Sequence, residues 1–185
     1  MKSTLAALVV AGTTLAAPGE WRVGDSAVRV ICPMTVGGSF DVKTAALSGS
    51  VTASPSGSSA FDGSLAVDLR TLDTGIDLRN EHLRTTYLEV ARGPDYQTAT
   101  VSAIDLKGLN RDAPDGKGSF TGSLTLHGTT KAVSGAVDVR RAGAGLQVKA
   151  SFPLNLSDFG IREPRYLGVG VKNTVQVQVT FAVTH

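Results

Sequence analysis

An all-β fold, an eight-stranded antiparallel barrel with a short helical segment near one end, is what the sequence predicts, on three observations. Apolar and polar residues alternate with a period of two over most of the chain. In places the alternation runs for more than ten residues. One stretch in the middle, residues 71–96, abandons it. Period-two alternation gives a strand one dry face and one wet face, the pattern of an antiparallel sheet covered on one side. Strands this long twist and coil, and closing them into a barrel removes the exposed edges. About eight strands give an interior that is either just filled by side chains or wide enough for one small ligand.

The elements follow in chain order. The opening "MKSTLAALVVAGTTLAAPGEW" carries one lysine, an apolar run from Leu5, and small residues ending near Ala16 and Ala17. That is the layout of a secretory signal peptide, expected to occupy residues 1–17 and to leave a single domain over 18–185. The apolar run is well short of the ~20 residues that cross a bilayer, so no stable membrane span is expected. Exported proteins of this kind work in the periplasm or outside the cell. Weak strands fit "AVRVI", "GSFDVK" and "ALSGSVTA". In "FDGSLAVDLR" the residues Phe61, Leu65, Val67 and Leu69 share one face, with Asp62, Ser64, Asp68 and Arg70 on the other.

Residues 71–96, "TLDTGIDLRNEHLRTTYLEVARGPDY", read as helical. Asp77 is placed to cap a helix start, Arg79, Leu83 and Tyr87 recur at i, i+4 and i+8, and Gly93–Pro94 is the expected stop. Such a segment is either a plug over one barrel end or a surface excursion, and the pattern does not choose. Strands resume with "TATVSAIDLKG". In "GSLTLHGTTKAVSGAVDV", with the residues just before it, Phe120, Leu124 and Leu126 point one way and Ser119, Thr121, Ser123, Thr125 and His127 the other. After a turn around "GTTK", Val133, Val137 and Val139 continue the dry face. "LQVKASFPLNL" gathers Leu146, Val148, Ala150, Phe152, Leu154 and Leu156. "VKNTVQVQVTFAV" gathers Val171, Val175, Val177, Val179, Phe181 and Val183.

Composition narrows the function. The 185 residues carry a formal charge of only +2, with basic residues scattered along the chain, which excludes an electrostatic footprint for nucleic acid. Cys32 is the only cysteine, so no internal disulfide forms. It reads as a small apolar residue in a strand. His82, His127 and His185 lie at no metal-ligand spacing from one another. No G-x-S-x-G elbow, dinucleotide fingerprint or paired carboxylate stands out. No metal, cofactor or catalytic residue is therefore expected, and His127 is expected on the wet face, making local hydrogen bonds beside its turn.

Three stretches together resemble the YceI-like, lipocalin-like polyisoprenoid-binding family. "GSLTLHGTTKAVSGAVDV" is similar to its G-x-L-T-[IL]-x-G-[VT]-T-K-P-V strand–turn–strand, "LNLSDFGI" to its N-R-x-D-F-G-I segment, and "LRTLDTGIDLRNEHLRTTYLEV" to the connection containing R-D-x-H-L. The chain departs in having Ala132 where the family has proline, Asn80-Glu81-His82-Leu83 in place of D-x-H-L, and Leu88-Glu89 in place of an aromatic–Asp pair. "ARGPDYQT" is also longer than the usual link, and "REPRYLGVG" after "SDFGI" carries two arginines. The resemblance implies a lipocalin-like barrel with an elongated apolar interior holding a long isoprenoid or fatty-acyl chain.

On that reading the ligand is lined by Phe61, Phe120, Leu124, Phe152, Leu154 and Phe181 from the strands. Leu83 and Tyr87 join from the helical segment, and Phe159 and Tyr166 from the loop near the C-terminal end. His82, Arg162 and Arg165 are the candidate contacts to a polar head group. The leading expectation is a non-catalytic binding protein. Two alternatives stay open: a stress-related interaction scaffold whose barrel is filled by its own side chains, and a small secreted enzyme acting at the barrel mouth around His82, Tyr87 and Tyr166. Whether two barrels pair as a homodimer is also left open by the sequence.

Overall fold

The computed structural model describes residues 19–54, 59–110, 114–166 and 169–184, with Tyr166 described by its backbone only. The expected signal peptide lies outside the described residues. The chain forms strands β1 (Glu20–Pro33), β2 (Ser39–Thr44), β3 (Leu47–Ala53), β4 (Ala60–Asp68), β5 (Thr98–Lys107), β6 (Gly116–Leu126), β7 (Thr129–Ala142), β8 (Gly145–Asn155), β9 (Arg165–Tyr166), β10 (Val169–Gly170) and β11 (Thr174–Thr184). Strands β9 and β10 make a separate small hairpin, and the others form one sheet.

That sheet is a closed antiparallel barrel of eight staves. Strands β3 to β8 pair in sequence order, β8 pairs with β11, and β11 returns to β1. The eighth stave is β2 and β3 together. Both pair with β1 in one unbroken register, Val28↔Thr44 in the first ladder and Arg22↔Ser50 in the second, so they are one strand interrupted at Ala45–Ala46. Closure leaves no long edge, which is how an all-β domain without disulfides avoids pairing with its neighbours.

Alternation aims the dry faces inward as the sequence predicts. Phe120, Leu124, Leu126, Val137, Val139, Phe152, Leu154, Val175, Val177, Phe181 and Val183 are all buried. Phe120 and Phe152 meet edge to face, centroids 5.7 Å apart at 83°, the arrangement aromatic quadrupoles favour. Gly135 lies opposite Phe120 in the β6–β7 ladder. A Cβ there would stand 2.1 Å from the Ser151 carbonyl oxygen and 2.7 Å from Phe152 Cβ, so only glycine lets β7 and β8 close beneath the ring pair. Bulges shift the register in β1 between Val23 and Ser26, and in β5 between Ser102 and Asp105, where Ala103 takes φ +50°. Such bulges increase the local bend that barrel closure needs.

The opening strand is the element the sequence understated. "AVRVI" accounts for five residues of a fourteen-residue β1. The turn between β6 and β7 also differs from expectation. It consists of His127 and Gly128 alone, both at positive φ (+53° and +72°), with Leu126 paired to Thr129. Thr129, Thr130 and Lys131 are already strand. A two-residue turn with both φ values positive matches the right-handed twist of the flanking strands.

Residues 69–97 cover one end of the barrel, which settles the open question in favour of a cap. A 3-10 turn (Leu69–Thr71) leads to α1 (Asp77–His82), which unwinds into a single π turn (Leu83–Tyr87) and a second 3-10 turn (Val90–Arg92). The cap residue of α1 is Ile76, not Asp77, and Asp77 is the first helical residue. Gly93–Pro94 does not stop this helix. Pro94 instead opens α2 (Pro94–Gln97), where its fixed φ and missing N–H cost nothing. The chain is pinned to the barrel by the Lys43↔Asp73 bridge. Buried Asn80 organises the approach to α1: its Oδ1 accepts from Thr74 N at 2.7 Å and Thr74 Oγ1 at 2.8 Å, and its Nδ2 donates to Asp73 Oδ1 at 2.7 Å.

Candidate functional site: a cavity through the barrel

The inward faces do not fill the barrel. They enclose a cavity of about 900 Å³, near the upper end of the ~300–1,000 Å³ usual for small-molecule sites. It reaches from Trp21, Val51 and Phe61 at one end to Leu72, Leu83, Tyr87 and Leu88 under the helical cap. Its wall is made of the alternating apolar residues of every stave. The barrel is therefore hollow, and the filled-barrel alternative loses its premise.

Eight of the expected ligand contacts line this cavity: Phe61, Leu83, Tyr87, Phe120, Leu124, Phe152, Leu154 and Phe181. Phe159 does not. The 3-10 turn Leu156–Phe159 buries it in the core at 2% exposure, while Leu156 and Ile161 on either side reach the cavity wall. The side chain of Tyr166 lies outside the described residues. Of the head-group candidates, His82 and Arg165 are at the cavity rim, whereas Arg162 is exposed and off the lining.

One charged residue of the lining was not among the candidates named from the sequence. Arg79 is half-buried, lines the cavity, and lies over the Phe40 ring with its guanidinium carbon 4.3 Å from the centroid. The i, i+4, i+8 spacing with Leu83 and Tyr87 already placed it on their face. An arginine on an apolar helical stripe was the available signal. Cys32 also lines the cavity, and burial is the main reason its thiol pKa is pushed up to about 12.

The polar part of the lining is confined to the capped end: Thr74, Arg79, His82, Thr86 and Arg165. Among the described residues the large apolar side chains left exposed are Ile76 and Leu78 in the cap, Val36 in the β1–β2 loop and Val169 in β10. The opposite end is lined by Trp21, Val51, Phe61, Ile104, Leu106, Leu146 and Val183. The cavity is thus amphipathic along its length, with an apolar barrel and one polar end.

His127 is neither on the wet face nor locally bonded. Its side chain is only 9% exposed. Nδ1 lies 3.0 Å from the Phe159 carbonyl oxygen and Nε2 lies 3.0 Å from Glu89 Oε2. Tyr96 packs edge-on against the ring at 4.7 Å, and Arg92 stacks on Tyr96 while pairing with Glu89 at 3.1 Å. Arg92, with a smaller contribution from His127, holds the Glu89 carboxyl below the usual carboxylate range. Positive φ in the turn swings the ring off the strand and into this cluster, overriding the parity that placed it outward. Its partners come from residues remote in sequence, and it does not line the cavity, so its role is to tie the cap to the loop after β8.

A closed eight-stranded antiparallel barrel around an elongated apolar cavity, capped at one end by a short helical segment, defines a lipocalin-like barrel. The chain belongs to the YceI-like domain family, whose model matches residues 21–183. Its fold is similar to that of a polyisoprenoid binding domain from Saccharophagus degradans implicated in plant cell wall breakdown, at 19% identity over 89% of this chain and 97% of that one, with a TM-score of 0.68. It is similar to BcnA of Burkholderia cenocepacia at 21% identity over 86% and 96% of the two chains, with a TM-score of 0.67. A Campylobacter jejuni YceI protein shares 16% identity over 74% and 79%, with a TM-score of 0.54. No curated protein sequence matches the chain. Among the described residues no helix is long and apolar enough to cross a membrane.

Proposed function

We propose that this protein is a non-catalytic carrier that holds a long isoprenoid or fatty-acyl chain inside its barrel, in the periplasm or outside the cell. The observation that carries the reading is the apolar cavity of about 900 Å³ running between the barrel ends. Burying ten methylenes from water is worth ~8 kcal/mol at about 0.8 kcal/mol each, before the costs of association. Affinity on that scale asks little of polar groups, which agrees with a wall made of valine, leucine and phenylalanine. The similar Saccharophagus degradans domain is described as polyisoprenoid-binding, which supports the chemical class. The N-terminal stretch supports export. In this reading Phe61, Phe120, Leu124, Phe152, Leu154 and Phe181 contact the tail, with Leu83 and Tyr87 closing over it.

The test is native mass spectrometry and organic extraction of protein purified from its own host, together with titration of a fluorescent acyl or prenyl probe. A co-purifying lipid and saturable probe uptake are expected. Replacing Ala150, which lines the cavity, with tryptophan fills the space from the wall. Ala150→Trp is expected to lower probe affinity more than tenfold with the β circular-dichroism signature retained. Lipid-free protein that takes up no probe would overturn the proposal.

A further inference from the structure

Resting on the carrier reading, we propose that Arg79 is a head-group anchor, and that the cavity selects amphiphiles whose head is an anion, a carboxylate or a phosphate, seated under the helical cap. Among the described residues the other partly buried arginine is Arg84, which donates from Nη2 to the Leu72 carbonyl oxygen at 2.9 Å, leaves its buried Nε without a partner, and does not line the cavity. Arg22, Arg29, Arg70, Arg92, Arg140 and Arg165 each pair with a carboxylate. Arg79 has no carboxylate within ion-pair distance among the described residues. Its guanidinium stacks on the face of Phe40.

That is an unfinished arrangement. A half-buried guanidinium has five N–H donors in a fixed fork, shaped for two oxygens of a carboxylate or phosphate. Its donors still reach solvent, and a charged acceptor in the cavity would exchange those water contacts for charge-assisted bonds. Phe40 holds the guanidinium plane, so less freedom is lost when the fork closes on a ligand. The charge is felt inside the cavity: Arg79 opposes, in part, the rise of the Cys32 thiol pKa. The acidic residues on the same helix, Asp77 and Glu81, are exposed and do not neutralise it through a direct pair. Arg165, the rival cation on the lining, is exposed and already engaged with Glu163 at 2.9 Å. With the head held by Arg79 and flanked by Thr74, Thr86 and His82, the tail runs away from the cap toward Phe61 and Trp21.

The experiment compares matched pairs on the intact protein by displacement of a bound fluorescent acyl probe. One pair is a long-chain fatty acid and its methyl ester, the other a prenyl phosphate and the corresponding prenol. The anion of at least one pair is expected to bind about 10–100-fold tighter than its neutral counterpart, the worth of a charge-assisted bidentate contact. Arg79→Gln is expected to erase that preference while leaving affinity for the ester or prenol within about threefold. Arg79→Lys keeps a reduced preference, because it retains the charge and loses the fork. The pair showing the larger ratio identifies carboxylate or phosphate as the head. Equal affinity for anion and neutral in the unmodified protein overturns the anchor but leaves the carrier reading standing, as does a preference that survives Arg79→Gln. Failure of all four compounds to displace the probe overturns both. Should Arg79→Gln lose its fold by circular dichroism, the ratio measured on the unmodified protein decides alone.

Discussion

The two ends of the barrel are built on different terms. Away from the cap, β3 to β4, β5 to β6 and β7 to β8 are joined by hairpin connections, and the lining is apolar without interruption. At the capped end the staves give way to 3-10 turns, a π turn, two short helices and a hairpin crossing the rim. The polar lining collects there with the exposed apolar residues. What holds the first end is the sheet's own ladder. What holds the second is a pair of links between residues far apart in sequence, His127 to Phe159 and Glu89 and Thr35 to Gly170 at 2.8 Å, together with the local bonds of Asn80 to Asp73 and Thr74. A wall needs shape and a tail needs only grease. Recognition of a head group needs positioned polar atoms, and those sit where regular pairing stops.

Four measurements break or sharpen this contrast. The largest effect concerns the wall. With its pKa pushed up from 9.0 to about 12 by burial, Cys32 is expected to react with a thiol reagent about a thousandfold more slowly near neutral pH than an exposed cysteine. Rapid labelling of native protein would show the wall to be loose. Occupancy of the cavity by an acyl probe should slow the reaction further, since Cys32 lines it.

Next comes Gly135→Ala, also in the wall. Its Cβ meets Ser151 backbone and the Phe152 side chain, neither of which can yield without moving β8. A loss of about 3 kcal/mol in urea unfolding is expected, the upper part of the range for overpacking. A variant as stable as the parent would mean that β7 and β8 shift freely, and the argument for a rigid wall would fail.

At the capped end the effects are smaller. Asparagine tolerates positive φ and forms tight turns with a following glycine, so His127→Asn preserves the turn and removes the two remote bonds along with the Tyr96 ring contact. A loss of about 1–2 kcal/mol is expected, with hydrogen exchange rising around residues 156–160 and in the cap while the strands stay protected. Uniform exchange across strands and cap would deny that the end opens on its own. Smallest is the response to acid. Glu89 is held below its ordinary range by Arg92 and His127, so its contribution is fully present above its unfolded value, near pH ~4.3, and fades as pH falls through the lower folded value. Amide exchange in the cap should therefore rise below about pH 4, before the barrel unfolds, and Glu89→Gln should flatten that dependence.

The same division explains what could be read from the sequence. Period-two patterning reports which side of a strand is dry, so the staves, their faces and six of the cavity contacts were legible from residues such as Leu124, Phe152 and Phe181, while Leu83 and Tyr87 came from the helical stripe. It says nothing of where a strand is interrupted: β2 and β3 were counted apart, although their shared register on β1 makes them one stave. Parity failed at His127 because a turn residue at positive φ points where its neighbours do not. Phe159 was placed on the ligand from its loop alone, and the 3-10 turn that carries it directs the ring into the core instead. Arg79 was noticed as part of a helical stripe but not as a binding group. The anchor proposed for it rests on the absence of a paired carboxylate among the described residues, and only a three-dimensional arrangement displays that.

The pairing of β1 with β11 has a consequence for how such a chain comes into being. The stave completed last in synthesis closes against the one made first, from Val23↔Val183 to Ile31↔Gln176. Contacts so distant along the chain form slowly, because a long loop must be drawn shut before they reward the search. Until Thr174–Thr184 arrives, β1 and β8 present raw edges, and a chain cut short there would be a template for self-association more than a smaller barrel.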